Sequence, residues 1–202
     1  MAVRATLWAD VICPFCYLAA APFGRLRAEG AIDLVVRPFE IHPETPREGV
    51  PLERFGKAKL DDVFRSVQWM AGEAGLDVRR PEKLPNSRRA LEGMEMARAA
   101  KGEAAAVEFA GRVMGAYFKD GADVGDEATL RAIADAMKID RGAQDRCFLN
   151  RGFAGALAEA RRGAEDALVT AVPAASVGGF PVVGYQPYAQ LKKLVERAAR
   201  RA

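Results

Sequence analysis

Hydrophobic positions change their period at about residue 13. The run Ala5-Thr6-Leu7-Trp8 is short, apolar and β-prone, whereas Tyr17-Leu18-Ala19-Ala20-Ala21 is strongly helix-forming. A helix is predicted from about Pro14 to Glu29, with Gly30 as its stop and a second strand over Ile32-Asp33-Leu34-Val35-Val36. That order is a βαβ unit, because the helix is long enough to carry a parallel crossover. From Pro38 to Pro51 four prolines and Gly49 exclude regular structure. Helical spacing then takes over: Leu60, Val63, Phe64, Val67, Met70 and Ala71 mark a helix over Leu52 to Ala74. Asn86 or Ser87 caps a helix reaching about Ala100, and Gly102 separates it from Ala104 to Phe118. Asp126 is the predicted cap of Glu127 to Lys138, Asp140 starts a turn or helix through Leu149, and Phe153 to Arg162 continues the helical run. No strand is predicted between Leu52 and Arg162.

Strand character returns at Ala167 to Val172. After Pro173, the segments Ala174–Val177 and Phe180–Val183 form a hairpin with Gly178-Gly179 at its tip. Pro181 inside the second arm predicts an edge strand. Pro187 opens a last helix from Tyr188 to about Arg200. An all-helical block between a βαβ start and a different-looking end reads as an insertion: residues 51–162 inside a domain made of 1–50 and 163–202. The expected fold class is α/β.

Chemistry enters with Cys13-Pro14-Phe15-Cys16, which falls where the first strand hands over to the first helix. Two thiols at this spacing can close a disulfide within one turn, and Pro14 fits the first helical turn, where its missing N–H costs nothing. The free N–H groups and positive dipole end favour thiolate at Cys13. A free thiol titrates at about 8.5, and one in this setting at roughly 3.5 to 7.5. Cys13 is expected to be the exposed member and Cys16 the resolving one. A structural zinc needs four ligands, and the only Cys and His residues are Cys13, Cys16, Cys147 and His42, without a second C-x-x-C or an H-x-x-x-H. No metal is expected. Two inert buried thiols are the remaining alternative.

Composition narrows the rest. Among 202 residues, Lys and Arg number 30 against 27 Asp and Glu, so a formal charge of +3 gives no footprint for nucleic acid. No apolar run approaches the ~20 residues needed to span a bilayer. The first dozen residues lack a signal-peptide pattern, and three cysteines suit chemistry better than a stapled scaffold, so the cytoplasm is the expected compartment.

The order of parts resembles the DsbA-like branch of the thioredoxin superfamily, most specifically the group related to FrnE-type oxidoreductases and 2-hydroxychromene-2-carboxylate isomerases. Asp10-Val11-Ile12-Cys13-Pro14-Phe15-Cys16-Tyr17, Arg37-Pro38-Phe39-Glu40 and Val172-Pro173-Ala174 with Gly184-Tyr185-Gln186-Pro187 carry the likeness. Leu84-Pro85-Asn86-Ser87 and Asp120 to Asp126 look like that family's helical domain. The resemblance implies a thioredoxin-like fold interrupted by helices, with Pro173 as the cis-proline facing the dithiol and Val172 offering backbone hydrogen bonds to substrate. Pro14 and Phe15 would share that binding surface. Pro181 is the rival cis-proline. Phe15 stands where many relatives carry Trp, which should alter redox poise and leave reaction type unchanged.

Thiol–disulfide exchange is the resulting expectation, with protein or small-molecule disulfides and thiols as partners and a homodimer left open. No tightly bound cofactor is expected. The alternative is a glutathione-dependent isomerase or transferase, as in 2-hydroxychromene-2-carboxylate isomerases and kappa-class glutathione transferases, with glutathione as cosubstrate. Such relatives typically have serine at the position of Cys13. A non-catalytic binding module has no motif to support it. Asp10 or Glu40 is a candidate to exchange a proton with Cys16, a cap or a solvated charge being the favoured reading of each. His42 reads as a surface or loop-packing residue, and Cys147 as a buried spectator. Trp69, Met70, Met94, Met96, Phe109, Met114, Tyr117 and Phe118 read as core.

Overall fold

The computed structural model describes residues 2–201. Strand β1 (Val3–Ala9) buries Val3, Ala5, Leu7 and Ala9 on one face, the period-two pattern of a strand lying on a core. Helix α1 (Pro14–Ala28) carries the chain to β2 (Ile32–Pro38), which pairs with β1 in parallel from Val3↔Ile32 to Ala9↔Pro38. Gly30 makes the stop at φ +71, a conformation open to glycine at little cost.

The carboxyl end supplies β5 (Ala174–Val177), β6 (Phe180–Val183) and the final helix α8 (Tyr188–Ala199). Gly178 and Gly179 both have positive φ, as a two-residue primed hairpin turn demands. Strand β5 runs antiparallel to β1, giving the order β2-β1-β5-β6 and leaving Pro181 on an edge strand as its missing N–H predicts.

Between β2 and β5 lie α2 (Lys57–Ala74), α3 (Arg88–Lys101), α4 (Glu103–Phe118), α5 (Glu127–Ala136), α6 (Arg141–Phe148) and α7 (Ala154–Asp166). Helix α3 is the axis of this group: from Ala90 to Ala97 every residue is buried. At Gly93 it comes so close to α4 that an added Cβ would lie 2.7 Å from Phe109 Cζ. Alanine there recovers about 1 kcal/mol of helix propensity but overpacks by about 1–3 kcal/mol. Gly93→Ala is therefore expected to lower stability by about 1 kcal/mol, read as a lower urea midpoint at unchanged m-value.

Several expectations are corrected. Residues 167–172 are not a strand: the Leu168 and Val169 amides bond back to Glu165 and Ala164 carbonyls at 2.9 and 2.8 Å, closing the end of α7. With those donors taken and Leu168 left 86% exposed at φ +56, no ladder forms. The helix expected from Leu52 begins as a 3₁₀ turn, Leu52–Phe55, and is broken by Gly56 at φ +88. Two-residue strands β3 (Val50–Pro51) and β4 (Lys83–Leu84) pair across a stretch predicted to lack strands. Trp69 is 70% exposed rather than core, because it lies about two and a half turns past buried Leu60, on the opposite face of α2. Asp126 occupies the N-cap of α5 without accepting a capping hydrogen bond, whereas Asp140 caps α6 by accepting from Ala143 N–H.

Candidate functional site

The end of β1 and the start of α1 bring the two sulfurs to the carboxyl edge of the sheet. Cys13 is the N-cap residue of α1 and Pro14 begins the helix, so no side chain competes for the free amides of the first turn. Cys16 and Tyr17 N–H groups bond to the Cys13 carbonyl at 3.0 and 3.1 Å, fixing the turn that holds both cysteines. Cys13, Cys16 and Cys147 are free thiols. Cys13 is 5% exposed and Cys16 0%, so the expectation of an exposed Cys13 is corrected: the surrounding core covers all but an edge of it.

Electrostatics separate the two sulfurs. A hydrogen bond from Cys16 holds the Cys13 thiol below its ordinary value, joined by donors from the Cys16 and Phe15 backbone, against burial and the Asp10 charge. Burial pushes Cys16 well up, and its neighbour's charge adds to the rise. One sulfur is therefore made a ready anion and the other kept protonated.

Facing them is the peptide Val172–Pro173, which is cis. The Val172 carbonyl lies 3.8 Å from Cys13 Sγ, and the Pro173 carbonyl accepts from Gly184 N–H at 2.9 Å, tying the bend to the end of the hairpin. Pro181, the rival, sits in β6 with a trans bond. Pro14 and Phe15 are half-buried beside the dithiol.

Asp10 lies behind the sulfurs and is completely buried. Its Oδ2 accepts from Ile41 N–H at 2.9 Å and from the Ser87 hydroxyl at 3.0 Å, and its Oδ1 accepts from Ile12 N–H at 3.3 Å. Burial nonetheless pushes its carboxyl up to about 6. Glu40 is held differently: Arg88 grips its carboxylate with Nε at 3.0 Å and Nη2 at 2.8 Å. The geometry thus gathers Cys13, Cys16, Val172, Pro173 and Asp10, and engages Glu40 in an ion pair to one side.

Ser87 is the site residue that sequence reading missed. It looks like a helix cap, and it is the N-cap residue of α3, but its hydroxyl makes no capping bond and turns to Asp10. Asn86 Oδ1 accepts from Arg88 N–H instead. His42 bonds Glu44 and packs against Phe55, away from any cluster, and burial pushes the Cys147 thiol up to about 12. Among the described residues, no group of three or more His, Cys, Asp or Glu side chains could hold a metal ion, and no helix is long and apolar enough to cross a membrane.

Comparison with known proteins agrees with this geometry. The profile of the DSBA-like thioredoxin domain matches residues 5–196. An uncharacterized protein of Bacillus subtilis (strain 168), YwbO, is 26% identical over 188 residues, which cover 91% of both chains. A probable DsbA oxidoreductase from Streptomyces coelicolor superposes with TM-score 0.85 at 20% identity, covering 99% of this chain and 91% of that one. A 2-hydroxychromene-2-carboxylate isomerase superposes with TM-score 0.79 at 21% identity, covering 98% and 97%. At these identities the two structures speak for the fold alone.

Proposed function

The chain belongs to the DSBA-like thioredoxin domain family, and from that premise we propose that it is a thiol–disulfide oxidoreductase working through Cys13 and Cys16. The observation that carries this reading is the inequality of the two sulfurs: one favoured as thiolate at a helix start, the other buried and protonated one turn along. Cys13 thiolate attacks one sulfur of a substrate disulfide, forming a Cys13–substrate bond and expelling the other sulfur as thiolate. Cys16 gives up its proton, attacks Cys13 sulfur and expels the first substrate sulfur. The dithiol has then lost two electrons to the substrate, and the reverse sequence oxidises a substrate dithiol. Asp10 is the acceptor of the Cys16 proton in this reading, since it is buried beside the dithiol and burial raises its carboxyl to about 6. Val172 and Pro173 meet the substrate chain next to Cys13, with Pro14 and Phe15 on the opposite rim.

No bound cofactor is needed, because the electrons reside in the two thiols. We place the protein in the cytoplasm, with the helical segment 51–162 as an inserted domain beside the dithiol. The glutathione-dependent isomerase reading draws support from the likeness to the solved isomerase. Against it stands a complete pair of cysteines, where such relatives typically begin with serine.

Selective alkylation tests the proposal. With the reduced protein, iodoacetamide is expected to modify Cys13 first, at a rate titrating below about 8.5. Cys16 and Cys147 stay unmodified, because burial pushes both thiols up and keeps them protonated while the Cys13 thiol is held down. Oxidised dithiothreitol is expected to pair residue 13 with residue 16 and leave residue 147 free. An ordinary alkaline thiol at 13, or failure of the pair to close, would refute the dithiol mechanism.

A further inference from the structure

Three successive residues at the start of α3 each reach across to the part of the chain around the dithiol. Asn86 Nδ2 donates to the Thr45 carbonyl, the Ser87 hydroxyl to Asp10 Oδ2 at 3.0 Å, and Arg88 to both oxygens of Glu40. The segment that Asn86 and Arg88 grip also supplies Ile41 N–H to Asp10 Oδ2 at 2.9 Å. Both donors on that oxygen are therefore held by the same tethers.

A serine at a helix start ordinarily accepts from one of the free amides of the first turn. Ser87 does not: Arg88 N–H goes to Asn86 Oδ1, and the Ser87 hydroxyl, in a residue only 1% exposed, is left for Asp10. Its value there follows from the burial of Asp10. Loss of solvent disfavours a charged carboxylate and drives it to take up a proton, whereas hydrogen bonds donated to the charged form oppose this. Asp10 can receive the Cys16 proton only while it is ionised. Ile12 and Ile41 donate to it through their backbone, and Ser87 is the one side chain among the described residues that does so.

We propose that Ser87 is a positioning residue for the second step of exchange, keeping the buried Asp10 side chain in the carboxylate form that can receive the Cys16 proton. The role rests on the reading of Asp10 as that acceptor. The titratable groups facing Asp10 are Cys13 and Cys16 from α1, Glu40 beyond β2 and Tyr117 from α4. Arg88, the cation that α3 brings next to Ser87, is committed to Glu40. Ser87→Ala changes none of these groups. It removes one oxygen and no capping bond, so the variant is expected to fold.

Two readouts test this in the full-length protein. NMR of the Asp10 carboxyl carbon in the reduced state follows its titration with no substrate present. The midpoint is expected at about 6 in the wild type and about one pH unit higher in Ser87→Ala, which has lost a hydrogen bond to a charged group. Dithiobis(nitrobenzoate) follows the reaction: attack by Cys13 expels one coloured nitrothiobenzoate, and attack by Cys16 on the resulting mixed disulfide expels the second. In Ser87→Ala the second release is expected to be about tenfold slower below about pH 6, with its inflection moved up by the same unit, while the first does not slow. Ser87→Thr retains the hydroxyl and is expected to keep the wild-type inflection. An Asp10 midpoint unmoved in Ser87→Ala, or moved equally in Ser87→Thr, would overturn the proposal. A moved midpoint with an unchanged second release would overturn it too, along with Asp10 as acceptor, and leave exchange by the two cysteines standing. Failure of the dithiol itself is told apart by the alkylation of Cys13, which the Asp10 midpoint does not enter.

Discussion

Cys13→Ser is expected to reduce insulin disulfides about 10³-fold or more slowly than the wild type while remaining folded. The hydroxyl that replaces the thiol has no accessible anion, so the helix start that favours thiolate at Cys13 has nothing to act upon. Folding should survive, because the change is nearly isosteric and the Cys13 side chain makes only a long 3.8 Å contact to the Val172 carbonyl. Cys16→Ser is expected to behave differently: Cys13 still attacks, nothing resolves the product, and a mixed disulfide accumulates that mass spectrometry detects at residue 13. The pair of variants also decides between the oxidoreductase and the isomerase. If Cys13→Ser retains a glutathione-dependent isomerisation while losing insulin reduction, the dithiol is incidental and the isomerase reading stands. If it retains insulin reduction, the thiolate at residue 13 is not the nucleophile.

What could be read from the sequence was local, and what could not was carried by distant partners. The turn at Gly178-Gly179 needs two positive φ values in succession, a demand that two glycines announce by themselves. The Cys13-Pro14-Phe15-Cys16 stretch likewise contains its own geometry, because the helix that shifts the thiol begins within it. Residues 167–172 show the limit: apolar and β-branched, they have the look of a strand, yet α7 runs on to Asp166 and takes their first amides to close its end. Ser87 shows it more sharply. Its partner Asp10 lies 77 residues away, and at φ −79 and ψ −11 its backbone leaves the extended region usual for a capping residue. Glu92 would pass for a solvated helix charge in any sequence pattern. Only the packing of α3 on all sides buries it.

Asp10→Asn is expected to reveal two consequences of one buried carboxyl. Facing Asp10 are Cys13 and Cys16 from α1, Glu40 beyond β2 and Tyr117 from α4, together with the donors Ile12, Ile41 and Ser87. Burial, the largest influence, holds Asp10 at about 6 in the folded protein, against about 3.9 in an unfolded chain. Between those values the folded state keeps a proton that the unfolded state has released. The group's stabilising contribution is therefore complete below about pH 4 and is lost as pH rises through about 6. That gap corresponds to about 3 kcal/mol by pH 7.5. Asparagine does not titrate, and its amide must confront one of the three donors, so the variant is the less stable protein at pH 4. Relative to the wild type it should then gain about 3 kcal/mol between pH 4 and pH 7.5, measured by urea unfolding of both reduced proteins. Surface carboxylates are common to both and cancel. A difference that stays flat with pH would mean that Asp10 titrates as an ordinary carboxyl. In exchange chemistry the same substitution removes the acceptor for the Cys16 proton, so release of the mixed disulfide should slow about 10²-fold and lose its inflection near pH 6. The first attack should not slow, because the charge that raises the Cys13 thiol is removed as well. Two steps moving apart in this way would mark Asp10 as the base for the second sulfur; equal slowing of both would make it a structural acceptor and nothing more.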